Sequence, residues 1–130
     1  MWVPPIDSSG SELVGFTSHP FYDQAEPQAF LAIRNGKPCG RILVVVSHAY
    51  NQCHNELYGF LGFFESINEQ EVANALFDSA HTWLADRHCT VIRGPVNPSV
   101  TYQCGLLVDG FDMPPVFLMP YNPTYYSLLI

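Results

Sequence analysis

The chain has 130 residues, 48% of them apolar, 14% aromatic and 13% charged, with five basic residues and a formal net charge of −7. That balance describes one domain with a sizeable core and excludes a disordered chain. So few Lys and Arg also argue against nucleic acid and an anionic membrane as partners, since both are held through phosphate charge.

Nine Phe and seven Tyr are more apolar surface than a small monomer readily covers, an excess that a homo-oligomer or a partner would use. Cys39, Cys53, Cys89 and Cys104 form no C-x-x-C pair and read as reduced thiols, which suits a cytoplasmic protein. The first ten residues lack the basic and apolar regions of a signal peptide, and no apolar run is long enough to span a bilayer.

Residues 1–18 are rich in Pro, Ser and Gly and read as an irregular arm. The next stretch, PFYDQAEPQ, predicts a short helical turn that ends before Pro27. Ala29 to Arg34 reads as a strand and Gly40 to Ala49 as its return. Between them Asn35-Gly36 is the strongest hairpin signal in the chain. Leu57 to Glu65 predicts a third strand, where Gly59 and Gly62 mark a bulge or a close backbone approach.

A helix follows. Asn68 is a good N-cap, Glu71 three residues on can close a capping box, and Glu69 and Glu71 suit the positive end of the dipole. Val72, Leu76, Ala80 and Trp83 form its apolar stripe, widened by Ala73, Phe77 and Leu84. Arg87 and His88 lie near its carboxyl end. Thr90 to Arg93 is a short buried strand stopped by Gly94-Pro95, whose turn opens a polar edge at a strand carboxyl end. Tyr102 to Leu107 predicts a short helix, Pro115 to Met119 a strand, and Pro123 to Ile130 a helical start. The order gives an α/β fold with antiparallel early strands and parallel later ones.

The order and these residues resemble the GCN5-related N-acetyltransferase (acyl-CoA N-acyltransferase) superfamily, and more narrowly a longer, poorly characterised bacterial family with that fold. The resemblance runs through WVPPI at 2–6, HPFYDQAEPQAFLAIRNGKPCGRI at 19–42 and GFFE at 62–65. It continues through RGPVNPS at 93–99, GLLVDGFD at 105–112 and PYNPTYY at 120–126. RGPVNPS followed by GLLVDGF is the more specific part. The likeness implies a scaffold without its opening strand and helix or its closing strand, and a second copy covering the bared margins.

It also implies a site. In the superfamily the bulge of this third strand meets the pantetheine of coenzyme A, which would put Phe63 and Phe64 against the acyl donor. An asparagine past the next strand contacts pantetheine, and a tyrosine beyond it protonates the leaving thiolate; Asn97, Ser99 and Tyr102 stand near those points. The pyrophosphate cradle departs from the pattern: SINEQE at 66–71 has no glycine and two carboxylates that repel phosphate.

The residues themselves leave each role open. Asn97 is equally a helix cap and Tyr102 a packing residue. Glu65, beside Phe63 and Phe64, is a desolvated general base, the ion-pair partner of Arg41 or Arg93, or simply exposed at a strand end. Arg93 binds an anionic ligand or pairs with Glu65 or Asp109. His48, Cys53, His54 and Glu56 cluster without zinc spacing, and His81 and His88 share a helix face. No metal is expected. Cys89 reads as core, and nothing singles out Cys104 as a nucleophile.

Two functions follow. One is an acyl-CoA-dependent N-acyltransferase in which an amine attacks a thioester, with Glu65 or water as base and Tyr102 as acid. The other is a non-catalytic homodimeric module that keeps the fold and binds a small ligand or a protein.

Overall fold

The computed structural model describes residues 19–117 and 119–130. The expected N-terminal arm lies outside them. A 3-10 turn at Pro20–Gln24 opens the described chain, with Nδ1 of His19 accepting from the Phe21 amide at 3.2 Å. Four strands follow in one sheet: β1 (Ala25–Arg34), β2 (Lys37–Ser47), β3 (Tyr58–Ser66) and β4 (Val91–Arg93), in that spatial order. The first two pairings are antiparallel and β3–β4 is parallel. The fold is thus mixed α/β.

The β1–β2 hairpin closes on Asn35 and Gly36, both at positive φ (51° and 74°). Their backbone twist matches that of the strands, which is why Asn-Gly is selected there. β1 begins at Ala25, four residues before the expected start, and takes in Pro27. Proline is tolerated because β1 has no neighbour on its outer side among the described residues.

Helix α1 (His48–His54) takes in His48 and Ala49, which corrects the reading of them as the end of a strand. The Ser47 side chain caps it by accepting from the Tyr50 amide at 3.3 Å. Asn55 ends it in the left-handed region. Asn51 on α1 then bonds both the amide and the carbonyl of Tyr58, at 3.1 and 3.0 Å, so a side chain starts β3.

Helix α2 (Gln70–Ala85) lies on one face of the sheet. Its N-cap is Glu69, with no side-chain capping bond, so the Asn68–Glu71 box does not form. Arg34 at the end of β1 instead pairs with both Glu69 and Glu71. The buried stripe is Val72, Ala73, Leu76, Ala80 and Leu84; Trp83 is only half-buried. It packs on Ile42, Val44, Val46 and Phe64. Leu43 and Val45 point to the other face, against Tyr22, so β2 is covered on both sides. The sandwiching explains its run of β-branched residues.

Arg87 follows the helix and lies 3.5 Å over the Trp83 ring. It donates from Nε and Nη2 to Glu26 of β1 at 2.8 and 2.5 Å, which holds the Glu26 carboxyl below its ordinary range. His88, at φ 61°, lies past the helix end and is exposed.

β4 is a half-exposed margin rather than a buried strand. The expected helix at Tyr102 to Leu107 is replaced by an antiparallel pair, β5 (Val96–Asn97) with β6 (Gln103–Cys104). The expected strand at Pro115 to Met119 is irregular at its described residues. Pro115 has no amide to donate, and the described residues of that run join no ladder. The tail forms α3 (Tyr126–Leu129), which packs on α2. Tyr125 donates to the Ser66 carbonyl at 2.9 Å and the Tyr126 hydroxyl accepts from the Ser66 amide at 3.2 Å. Two phenols thereby do what a neighbouring strand would do at the end of β3. Among the described residues no helix is long and apolar enough to cross a membrane.

Candidate functional site

The site is built on a fault in the sheet. Arg41 pairs with Glu65 and Leu43 with Gly62, so Ile42 alone faces both Phe63 and Phe64. This is a β-bulge. Phe63 absorbs it at φ 46°, a conformation that non-glycine residues seldom hold and that concentrates at functional positions. Phe63 and Phe64 point to opposite faces as strand neighbours do, and the extra residue puts Phe64 on the same face as Leu61. Phe64 stacks on Phe77 (centroids 5.2 Å apart) and meets Tyr126 within the core. Phe63 joins Leu43, Val45 and Tyr22 on the far face.

The chain after β4 closes onto the bulge. Asn97 accepts the Phe63 amide at Oδ1, 2.6 Å away, and its Nδ2 donates to Gln103 at 3.4 Å. A Cβ on Gly62 would lie 1.6 Å from the Val96 carbonyl oxygen, so only glycine admits this approach. The expected bulge and close approach in β3 are both present, and the approaching backbone is that of Val96. Asn97 caps no helix; it holds the one amide that the bulge frees from the ladder.

The remaining candidates surround this centre without converging on it. Glu65 bonds Arg41 at 2.8 Å, and its side chain is 63% exposed. Phe63 and Phe64 therefore do not desolvate it. Arg93 lies over the Tyr58 ring at 4.3 Å and donates to its hydroxyl at 3.3 Å. It pairs with neither Glu65 nor Asp109, and so keeps its charge uncompensated by a carboxylate among the described residues. Ser99 bonds Thr101 at 2.7 Å within its own turn. Tyr102 packs edge-on against His19 (5.8 Å) and Phe21 (6.3 Å). Burial, with Tyr102 nearby, pushes the Tyr22 phenol up to about 12.

Sequence reasoning had no signal for Asn122, which is buried. It accepts from the Leu107 amide at 2.8 Å and donates to the Leu107 and Pro123 carbonyls, tying the loop to the tail. The Asn-Pro step was visible, but its distant partner was not. Cys89 packs against the core, and burial pushes its thiol up, away from nucleophilic use. All four cysteines are free. Among the described residues no three His, Cys, Asp or Glu side chains lie close enough to hold a metal ion. His48, Cys53 and His54 ride on α1, where His54 stacks on Tyr50 (4.1 Å).

The start of α2, which the resemblance would assign to a pyrophosphate, carries Glu69 and Glu71, each engaged by Arg34. That arrangement fits a phosphate poorly: the helix dipole already has its anions, and the cation beside them is taken.

The chain is similar to two bacterial proteins. It is 37% identical to the bacterial ceramide synthase of Caulobacter vibrioides (strain NA1000 / CB15N) over 125 residues, 95% of this chain and 33% of that one. It is 29% identical to the protein YghO of Escherichia coli (strain K12) over 126 residues, 97% of this chain and 32% of that one. The chain thus spans about a third of the length of these relatives. No family model and no solved structure matches it. Its similarity therefore lies with a poorly characterised group of bacterial proteins.

Proposed function

We propose that this chain has the acetyltransferase type of fold and carries the acyl-donor part of an N-acyltransferase. The carrying observation is the β3 bulge, with Phe63 at positive φ and its amide held by Asn97. Similarity across 95% of the chain to a protein called a ceramide synthase supports the same chemistry, since a ceramide is the amide of a long-chain amino alcohol and a fatty acid. In the reaction the amine nitrogen attacks the thioester carbonyl; the C–N bond forms as the C–S bond breaks. The ammonium proton leaves to Glu65 or water, and the thiolate takes one from Tyr102 or water. Glu65 is exposed enough to meet an incoming amine. Phe63, the backbone at Phe64, Asn97 and Ser99 border the donor from one side, since Asn97 is bonded directly to the Phe63 amide, and Arg93 offers its guanidinium to an anionic group.

The start of α2, occupied by two carboxylates and their arginine, favours a second reading, a module that keeps the fold and binds without catalysis. In either case two copies pair along the outer side of β1.

Titration calorimetry with coenzyme A and acetyl-CoA, beside mass spectrometry for N-acyl-sphinganine from palmitoyl-CoA, separates the readings. Heat and amide together are expected. Heat without amide leaves the binding module, and neither one removes the acyltransferase.

A further inference from the structure

On the sheet face away from α2, β1 and β2 form an open groove that ends at the bulge. It is lined by Ala29, Leu31, Arg41, Leu43 and Phe63, with the backbone of Phe30 and Ile42 beneath. The cross-strand pairs Ala29–Leu43 and Leu31–Arg41 put these side chains on one face. The surface is almost wholly apolar. Its one charged side chain, Arg41, turns its guanidinium to Glu65 at the rim, which leaves only its aliphatic stem inside. Leu31 is 56% exposed along this groove, and Ile33 beyond it is 62% exposed.

We propose that this groove holds one unbranched alkyl chain, the acyl tail of the donor, extending from the bulge along β1. This deepens, and rests on, the N-acyltransferase reading of the bulge. Three features select an alkyl chain over other occupants. The groove offers no hydrogen-bonding side chain along its floor, so a peptide or sugar would be desolvated there without compensation. Its only polar groups, Arg41 and Glu65, stand at one rim, which matches a ligand that is polar at one end alone. Finally, the groove is continuous with Phe63, whose amide marks the place assigned to the thioester. Along β1 the lined floor from Ala29 to Leu31 advances roughly 7 Å at ~3.3 Å per residue, and exposed Ile33 carries the apolar surface two residues further.

The test uses hexanoate, octanoate and decanoate as probes, below the concentrations at which they form micelles, titrated calorimetrically into the chain. Affinity rising about threefold per added methylene is expected. Leu31→Glu should lower decanoate affinity at least tenfold. Leu31 is exposed, so this variant keeps the fold, checked by circular dichroism and thermal unfolding. Val116→Glu, exposed on a loop outside the groove, should bind as the parent does. Affinity independent of chain length, or equal losses in both variants, would overturn the proposal. So would light scattering in which Leu31→Glu separates a dimer while decanoate binding is unchanged, since a second copy would then be what covers the face. Chain-length-dependent binding without any amide product leaves the groove standing and removes the acyltransferase. Acetyl transfer without chain-length dependence does the reverse.

Discussion

Gly62→Ala tests the geometry at the bulge most sharply. The added methyl would sit 1.6 Å from the Val96 carbonyl oxygen, 2.6 Å from the carbonyl carbon and 2.7 Å from Oδ1 of Asn97. Two of the three are backbone atoms, so no rotamer change relieves the clash. β3 and the Val96–Asn97 segment must part by more than an ångström to restore ordinary contact. That displacement carries Asn97 Oδ1 out of reach of the Phe63 amide, now 2.6 Å away. Overpacking costs ~1–3 kcal/mol, and a polar group left unpaired in the interior costs ~1–3 kcal/mol more. The variant should lose about 3–5 kcal/mol, a large share of the ~5–15 kcal/mol that holds a domain of this size. Urea unfolding followed by Trp83 fluorescence measures it. Gly36→Ala is the reference: its methyl meets nothing within 4 Å, so only the positive φ of 74° is strained, at about 1 kcal/mol. If Gly62→Ala loses no more than Gly36→Ala, the close approach of β3 and Val96 is not as described.

Tyr126→Phe should cost ~1–3 kcal/mol, because the Ser66 amide in the sheet interior loses its acceptor; hydrogen exchange at Ser66 that stays as slow as in the parent would contradict this. Glu65→Gln should shift stability by less than ~1 kcal/mol, the worth of an exposed ion pair, yet cut amide formation ~10²–10⁴-fold if Glu65 is the base. Equal rates in a single-turnover assay would remove Glu65 from that role. The Tyr22 phenol is raised to about 12, so the folded state resists an ionisation that the unfolded chain undergoes near 10. Its contribution is complete below pH 10 and is lost as pH rises through 12. Tyr22→Phe should flatten the fall of the urea midpoint across that window; unchanged slopes would refute the burial argument.

Local patterns were legible where short-range physics decides. Asn35-Gly36 needs only its own left-handed backbone to set the hairpin. The α2 stripe needs only a 3.6-residue period, and Leu84 is as deeply buried as that period demands. Capping was less legible, because competition is local but its outcome is not: Arg34, thirty-five residues away, holds Glu69, and Asn68 is left outside the cap. His48 and Ala49 read as the end of a strand because apolar residues run up to them, whereas Ser47 caps a helix that starts there. After Arg93 periodicity fails altogether. There the chain is arranged by Asn97, Asn122 and the paired tyrosines, each answering a backbone group far away in sequence.

By itself the sequence determined an acidic, apolar-rich α/β domain, its hairpin and its helix face, since composition and period act over a few residues. Tertiary structure alone decided that Asn97 serves the bulge, that Phe64 shares the α2 face with Leu61, and that Glu65 faces Arg41 in solvent. Those outcomes follow from one extra residue in β3, and a bulge exists only relative to the strand beside it.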